Sequence, residues 1–270
     1  MSLWKAALLL AGLGFGASVC SQDIDNPEDI RAQRIRKIDR RLYDPSPGGM
    51  TLSGRLVTIH DRHGNLAESI GYWASGEQRS RSTYKYNADN RLVEYVTEPA
   101  HEAFKNFTRS YKLDPMGRVI EAQDHDSTGA VLGFQRFTLD DAGRVVEETL
   151  YIGDRRDSTQ RKRYDSAGNM VEWTSMNGEN EVVQRREYTF RKKGQQVQML
   201  VYDSSNRLFA KTEHAYAGEQ LSEVSDFSAD GKLNLRWVYE RNARGLVVKE
   251  TIFKDGKISS VEEITYEHHP

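Results

Sequence analysis

Turn-forming residues return along this chain at a nearly fixed interval, and no other feature constrains the fold as tightly. Gly64, Asn90, Gly117, Gly143, Gly168, Gly194 and Gly245 close the same short pattern, with spacings of 26, 27, 26, 25 and 26 residues as far as Gly194. A degenerate copy near Glu219 fills the gap before Gly245. A second set, near Gly129, Asp154, Gly178, Asn206, Gly231 and Gly256, falls between the first with a similar period. Two turns per period mean two strands per period, each roughly 7–9 residues long.

The chemistry around each turn supports that reading. Gly or Asn supplies the positive φ of a tight turn. Asp or Asn three residues earlier can bond back onto the turn amides. Aromatic positions six and four residues before the Gly share one strand face, because strand side chains alternate. A Glu recurs four residues after the turn at Glu68, Glu94, Glu121, Glu147, Glu172 and Glu223, with Gln198 and Lys249 departing from the series. These carboxylates are expected to form a stripe that alternates with basic residues such as Arg118 and Arg144, in pairs worth roughly 0.2–1 kcal/mol each. Because stacking explains the recurrence, the repeated residues are poor evidence for a catalytic centre.

A lone hairpin is marginal in water, whereas a stacked series covers itself. The expected fold is all-β: an antiparallel β-hairpin repeat array over residues 50–270, of about eight two-strand units. It would form a twisted, coiled meander or open solenoid with a short N-terminal helix. Open ends need cover, which the helix and the charged tail Glu262–Pro270 would supply. One uncovered edge, or an aromatic-rich face, is expected to serve in assembly.

Residues 21–49 read as a basic helix and a Pro/Gly linker. Asn26-Pro27-Glu28-Asp29 is a helix start signal. Ile30, Ile35, Ile38 and Leu42 then lie near one face, and Arg31, Arg34, Arg36, Lys37, Arg40 and Arg41 cover much of the rest. Two readings stand: a capping helix with a solvated basic face, or a helix that docks an acidic partner or an anionic envelope surface through Arg31, Arg34, Lys37 and Arg41. Asp44-Pro-Ser-Pro-Gly-Gly49 cannot continue a helix.

Residues 1–20 read as an export signal, with Lys5 before an apolar run from Ala6 to Gly16 that is too short to cross a bilayer. Cleavage after Cys20 and lipidation of Cys20 are both open. Cys20 is the only cysteine, so neither route leaves a structural disulfide in the mature chain. Export places the protein in the periplasm, at the outer membrane or outside the cell. The 38 basic and 40 acidic residues give no case for nucleic acid binding.

The pattern in Tyr84 to Glu94, Tyr111 to Glu121, Phe137 to Glu147 and Tyr164 to Glu172 resembles the tyrosine–aspartate (YD) repeat of the Rhs and teneurin group. The resemblance covers most of residues 50–267. It implies a β-sheet shell or spiral outside the cytoplasm. The period here is longer than the family's, the chain is too short for a full shell, and no toxin domain follows the array.

Candidate chemistry is sparse. His60 and His63 flank Asp61, His125 lies between Asp124 and Asp126, and His268 and His269 end the chain. Alternation sends the residues of Asp124-His125-Asp126 to opposite faces, so a solvated turn is the default. No hydrolase elbow, phosphate loop or His-Glu-x-x-His motif is present. No catalytic, cofactor or metal residues are assigned. Trp73, Trp173 and Trp237 read as packing residues, with Trp173 and Tyr95 facing away from Glu172 and Glu94; left uncovered, they would form a binding patch. Basic stretches at 155–163 and 185–193 read as strand faces and turns. Asn106-Phe-Thr108 fits a glycosylation acceptor beside a projecting loop at 98–107. The expected function is a non-catalytic structural or protein-interaction module of the cell envelope, which binds a partner or its own copies. The alternatives are a chaperone-like sequestering shell or a hydrolase with a site not visible in sequence. Functional surface is expected where the repeat breaks: at the basic helix, the 98–107 loop or the unit near Glu219.

Overall fold

The computed structural model describes residues 27–100, 106–191 and 194–270; the expected export signal at 1–20, residues 21–26, residues 101–105 and Lys192-Lys193 lie outside them. Among the described residues one short helix, α1 (Pro27–Ala32), precedes eighteen strands. These are β1 (Ile35–Ser46), β2 (Gly49–His60), β3 (Leu66–Trp73), β4 (Gln78–Tyr86), β5 (Leu92–Pro99), β6 (Phe107–Leu113), β7 (Val119–His125), β8 (Val131–Leu139) and β9 (Val145–Ile152). They continue as β10 (Arg155–Tyr164), β11 (Met170–Asn177), β12 (Val182–Phe190), β13 (Gln196–Tyr202), β14 (Leu208–Ala217), β15 (Gln220–Ser228), β16 (Leu233–Arg241), β17 (Val247–Lys254) and β18 (Lys257–His268). Each strand pairs antiparallel with the next, and β1 pairs with both β2 and β18.

The array is therefore a closed 18-stranded barrel, not the open solenoid or coiled meander expected from the sequence. Ile38 stands opposite Tyr266 and Leu42 opposite Glu262 at the closing seam. Closure follows from accumulated twist. Every strand pairing except β5–β6 contains a register shift, and such bulges increase local right-handed twist. Repeated around the array, they bring the last strand back to the first and remove both free edges.

The N-terminal segment also departs from expectation. The helix ends at Ala32, and Arg34 breaks away with a φ of 54°. Residues 35–46, read as helix and linker, form β1, and Pro47-Gly48 turn it into β2. The expected eight hairpins are nine. The cause is a bulge between Ile35 and Lys37. It puts Ile35 and Ile38 on the same face although they are three apart, which mimics a helical stripe.

Six turns on the side of α1, begun by Asp61, Asn87, Asp114, Asp140, Asp165 and Asn242, share one design. At Asp140–Arg144 the Gly143 amide donates to the Asp140 carbonyl (2.8 Å), and the Arg144 amide donates to Asp140 Oδ1 (2.8 Å). Arg144 Nε then reaches Asp140 Oδ2 at 2.8 Å, and its guanidinium lies over the Tyr164 ring. Gly143 has a φ of +80°, where a side chain is strained. The degenerate unit near Glu219 uses a shorter turn through Gly218.

A closed wall has a concave and a convex face, and alternation assigns each residue to one. The deeply buried side chains crowd the concave face: Ile38 (1% exposed), Val224 (2%), Trp237 (5%) and Ile264 (2%) all belong to it. They form one core over β15–β18 and β1, which Ile30 of α1 joins from one mouth of the barrel. Burying such side chains contributes about 1.5–3 kcal/mol each. Arg31 holds the helix to the rim by donating to the His63 carbonyl (2.7 Å).

Candidate functional site: the inner wall

The outer face carries the repeated glutamates, paired with basic residues on the neighbouring strand. Glu121–Arg136 (3.3 Å), Glu147–Arg161 (2.8 Å), Glu172–Arg163 (3.1 Å) and Glu223–Arg236 (3.1 Å) are ion pairs, as are Glu68–Arg81 and Glu94–Lys85. The partners differ from those expected, because Arg118 and Arg144 stay with the aspartates of their own turns. A second series was missed in the sequence. Arg55, Arg136, Arg185, Lys211 and Arg236 lie 4.2–5.5 Å from the ring centroids of Tyr72, Phe134 and Tyr151, Tyr202, Phe227 and Phe253. With charges on so many strands, this face is no lipid-facing band, where each Arg or Lys would cost about 2–4 kcal/mol at the midplane. It faces water.

The inner face differs. On β6 and β7, Arg109 grips Asp124 through two parallel bonds of 2.5 and 2.7 Å. Burial opposes the charge on Arg109, but this bidentate bond outweighs it and keeps the guanidinium protonated. Tyr84, Phe107 and Tyr111 pack around Tyr95 beside the pair, and burial pushes the Tyr95 hydroxyl up to about 12.

A polar strip follows across β8–β12. Gln135 Nε2 donates to Glu148 (3.0 Å), and Lys162 approaches the other oxygen of the same carboxylate at 3.5 Å. Trp173 Nε1 donates to Gln160 (2.9 Å). Arg186 lies 4.6 Å above the Trp173 ring and donates to Gln184 (3.0 Å). Alternation carries these residues inward, so Trp173 does face away from Glu172.

Two titratable groups farther round the inner face are displaced from their usual ranges. Burial pushes His214 on β14 down to about 4. Burial, and then the Glu262 carboxylate directly opposite, push Glu250 on β17 up to about 7. Glu262 is itself bonded to Arg40 across the seam (2.8 Å).

The other residues named from the sequence separate. Asp124 binds Arg109, His125 meets Ser110 (3.1 Å), and Asp126 caps its own turn through the Thr128 amide (2.8 Å). Among the described residues no group of three or more His, Cys, Asp or Glu side chains is placed to hold a metal ion. Asp61 caps the turn holding His63, while His60 and His268 lie where the chain ends meet: His60 accepts from His269 through its carbonyl, and His268 bonds the Gln33 carbonyl. Arg31, Arg34, Lys37 and Arg41, expected on one basic helix, are divided between α1, the break after it and β1. They bond to His63, Pro270, Glu267 and Asp39. Trp237 is core, whereas Trp73 stands at the rim under Arg79.

The chain matches no protein-family model and no curated protein. Among solved structures it is similar to a porin-like protein from Bacteroides uniformis, at 10% identity and a TM-score of 0.48, over 87% of this chain and 97% of that one. A porin-like protein from Bacteroides vulgatus overlaps at 9% identity and a TM-score of 0.38, over 84% and 97%. The Photorhabdus luminescens Tc holotoxin pore overlaps at 13% identity and a TM-score of 0.29, with 77% of this chain spanning 14% of that one.

Proposed function

We propose that this protein is an exported, non-catalytic binding barrel of the cell envelope, which holds a segment of a partner protein against its inner wall. The observation that carries this reading is the closed seam. With β1 paired to β18, the sheet offers no edge for strand addition. The outer face is occupied by ion-pair ladders worth little individually. The inner strip from Gln135 to Arg186 instead combines an aromatic ring, Arg, Lys and Glu with three amide side chains, a set suited to a polypeptide backbone and its polar side chains. Closure also favours the sequestering form of the reading, in which the bound segment is enclosed rather than laid on a surface. The export signal expected at residues 1–20 supports the envelope location.

Site-specific photocrosslinking in the native envelope tests this. A crosslinker at Gln184, on the inner wall, should give a discrete adduct. The same group at Arg161, on the outer face, should not. Adducts of equal yield from both positions, or none from Gln184, would overturn the reading.

A further inference from the structure

Among the described residues three arginines reach the inner wall away from the rims, and they are not partnered alike. Arg40 donates to Glu262 (2.8 Å), and Arg109 grips Asp124 (2.5 and 2.7 Å). Arg186 has no carboxylate partner among the described residues. It lies 4.6 Å above the Trp173 ring, donates from Nε to Gln184 Oε1 (3.0 Å) and stands within hydrogen-bonding reach of the Tyr188 hydroxyl. Burial raises the Tyr188 hydroxyl, so that group stays neutral beside the guanidinium.

The surroundings do not compensate this charge. Alternation places four charged side chains on the inner face of β9–β15 away from the rims: Glu148, Lys162, Arg186 and Asp226. Glu148 and Asp226 each stand three strands from β12, a separation of roughly 14 Å. Glu148 is taken up by Gln135 and Lys162, and Asp226 accepts from Thr212 (2.6 Å).

The hydrogen bonds around Arg186 are one-sided as well. Trp173 Nε1 and Arg186 Nε can only donate, so Gln160 and Gln184 both turn their oxygens to them. The two amide nitrogens are left to donate elsewhere. Ser175 stands between them, directly opposite Gln160 on one side and Gln184 on the other. A guanidinium therefore borders a row of donors with no acceptor charge of its own.

We propose that Arg186, with the row Gln160–Ser175–Gln184, anchors a carboxylate of the bound segment. The proposal rests on the reading of the inner wall as a polypeptide-binding surface and names the chemistry that surface selects. The planar edge of a guanidinium matches the two oxygens of a carboxylate, and stacking on Trp173 holds that plane in place. An acidic side chain and a free C-terminus present the same group.

Retention of synthetic decapeptide pools by the mature chain tests it. Four pools are made, with or without Asp and Glu, each with a free or an amidated C-terminus. Pools that carry a carboxylate should be retained at least tenfold more tightly than the amidated pool lacking Asp and Glu. Arg186→Gln should erase the difference, whereas Arg161→Gln, which removes one charge from the outer face, should leave it intact. Support comes from either source: retention of the amidated acidic pool identifies a side-chain carboxylate, and retention of the free-ended pool without Asp and Glu a terminal one. If Arg186→Gln fails to fold, Arg186→Lys keeps the charge but loses the stack and the paired donors, and should still cut the difference severalfold. Equal retention of all four pools would overturn the proposal, as would a preference that survives Arg186→Gln or is lost equally in Arg161→Gln; each leaves a polypeptide-binding wall standing. Retention of no pool would overturn the proposal too, and crosslinking at Gln184 then decides the wider reading separately.

Discussion

Arg40 on the first strand donates to Glu262 on the last at 2.8 Å, across 222 residues of sequence, on the inner side of the seam that closes the barrel. The Arg40 side chain is 9% exposed and that of Glu262 25%. Such a pair adds little net stability when intact, because both charges lose water, yet removing one member strands the other.

Arg40→Ala should therefore cost about 3–5 kcal/mol, far more than the loss of an outer ladder residue. Replacing both members together, Arg40→Met with Glu262→Leu, should recover most of it. Urea denaturation of the three variants measures this. A single-variant cost below that of Arg161→Ala would contradict the account.

Stability should also carry two opposed pH dependences. Glu250 is raised from 4.5 to about 7, so between those values the folded chain holds a proton that the unfolded chain has released. Its contribution is greatest at low pH and falls as pH rises through that window. His214 is lowered from 6.5 to about 4. There the unfolded chain holds the extra proton, so stability is greatest above 6.5 and is lost as pH falls toward 4. Each shift corresponds to at most about 3 kcal/mol, and the two nearly cancel between them. Glu250→Gln should unmask the histidine slope, and His214→Gln the opposite one, in urea titrations at pH 5 and pH 8. Parallel slopes in both variants would refute this.

Turn residues should respond according to φ. Gly143 has a φ of +80°, and an added Cβ would lie 3.1 Å from the Arg118 side chain. Gly143→Ala should cost about 1–2 kcal/mol. Asn90 holds a φ of 57° and already bears a side chain there, so Asn90→Gly should leave the melting temperature almost unchanged. Equal losses at both sites would show that the turns tolerate side chains alike.

Much of this architecture is legible locally. Gly143, Gly168 and their counterparts mark turns because φ is a property of one residue, and the glutamates after them are found because a turn anchors their numbering. The cation series that includes Arg55, Arg136, Arg185, Lys211 and Arg236 lacks such an anchor, since it lies partway along alternate strands, and only its neighbouring rings reveal it. β1 was misread because its bulge turns an alternating strand into one where Ile35 and Ile38 repeat after three residues. Closure was illegible because Arg40 and Glu262 find each other only after seventeen intervening pairings have added up their twist. The inner strip was hidden for the same reason: without a concave side, Gln160, Trp173 and Arg186 are ordinary alternating residues.

Closure of the ring is the claim on which the inner wall depends, and one disulfide tests it. Arg41 on β1 stands directly opposite Glu263 on β18, on the outer face, where oxidant can reach. Cross-strand Cβ atoms about 4.5–5.5 Å apart come near the spacing a disulfide can bridge. The double variant Arg41→Cys with Glu263→Cys, in a Cys20→Ser background, should oxidise within single chains at low protein concentration. Intact mass and peptide mapping should show residues 41 and 263 joined. Free thiols, or links formed only between chains, would mean that the two end strands are open edges and that the barrel does not close.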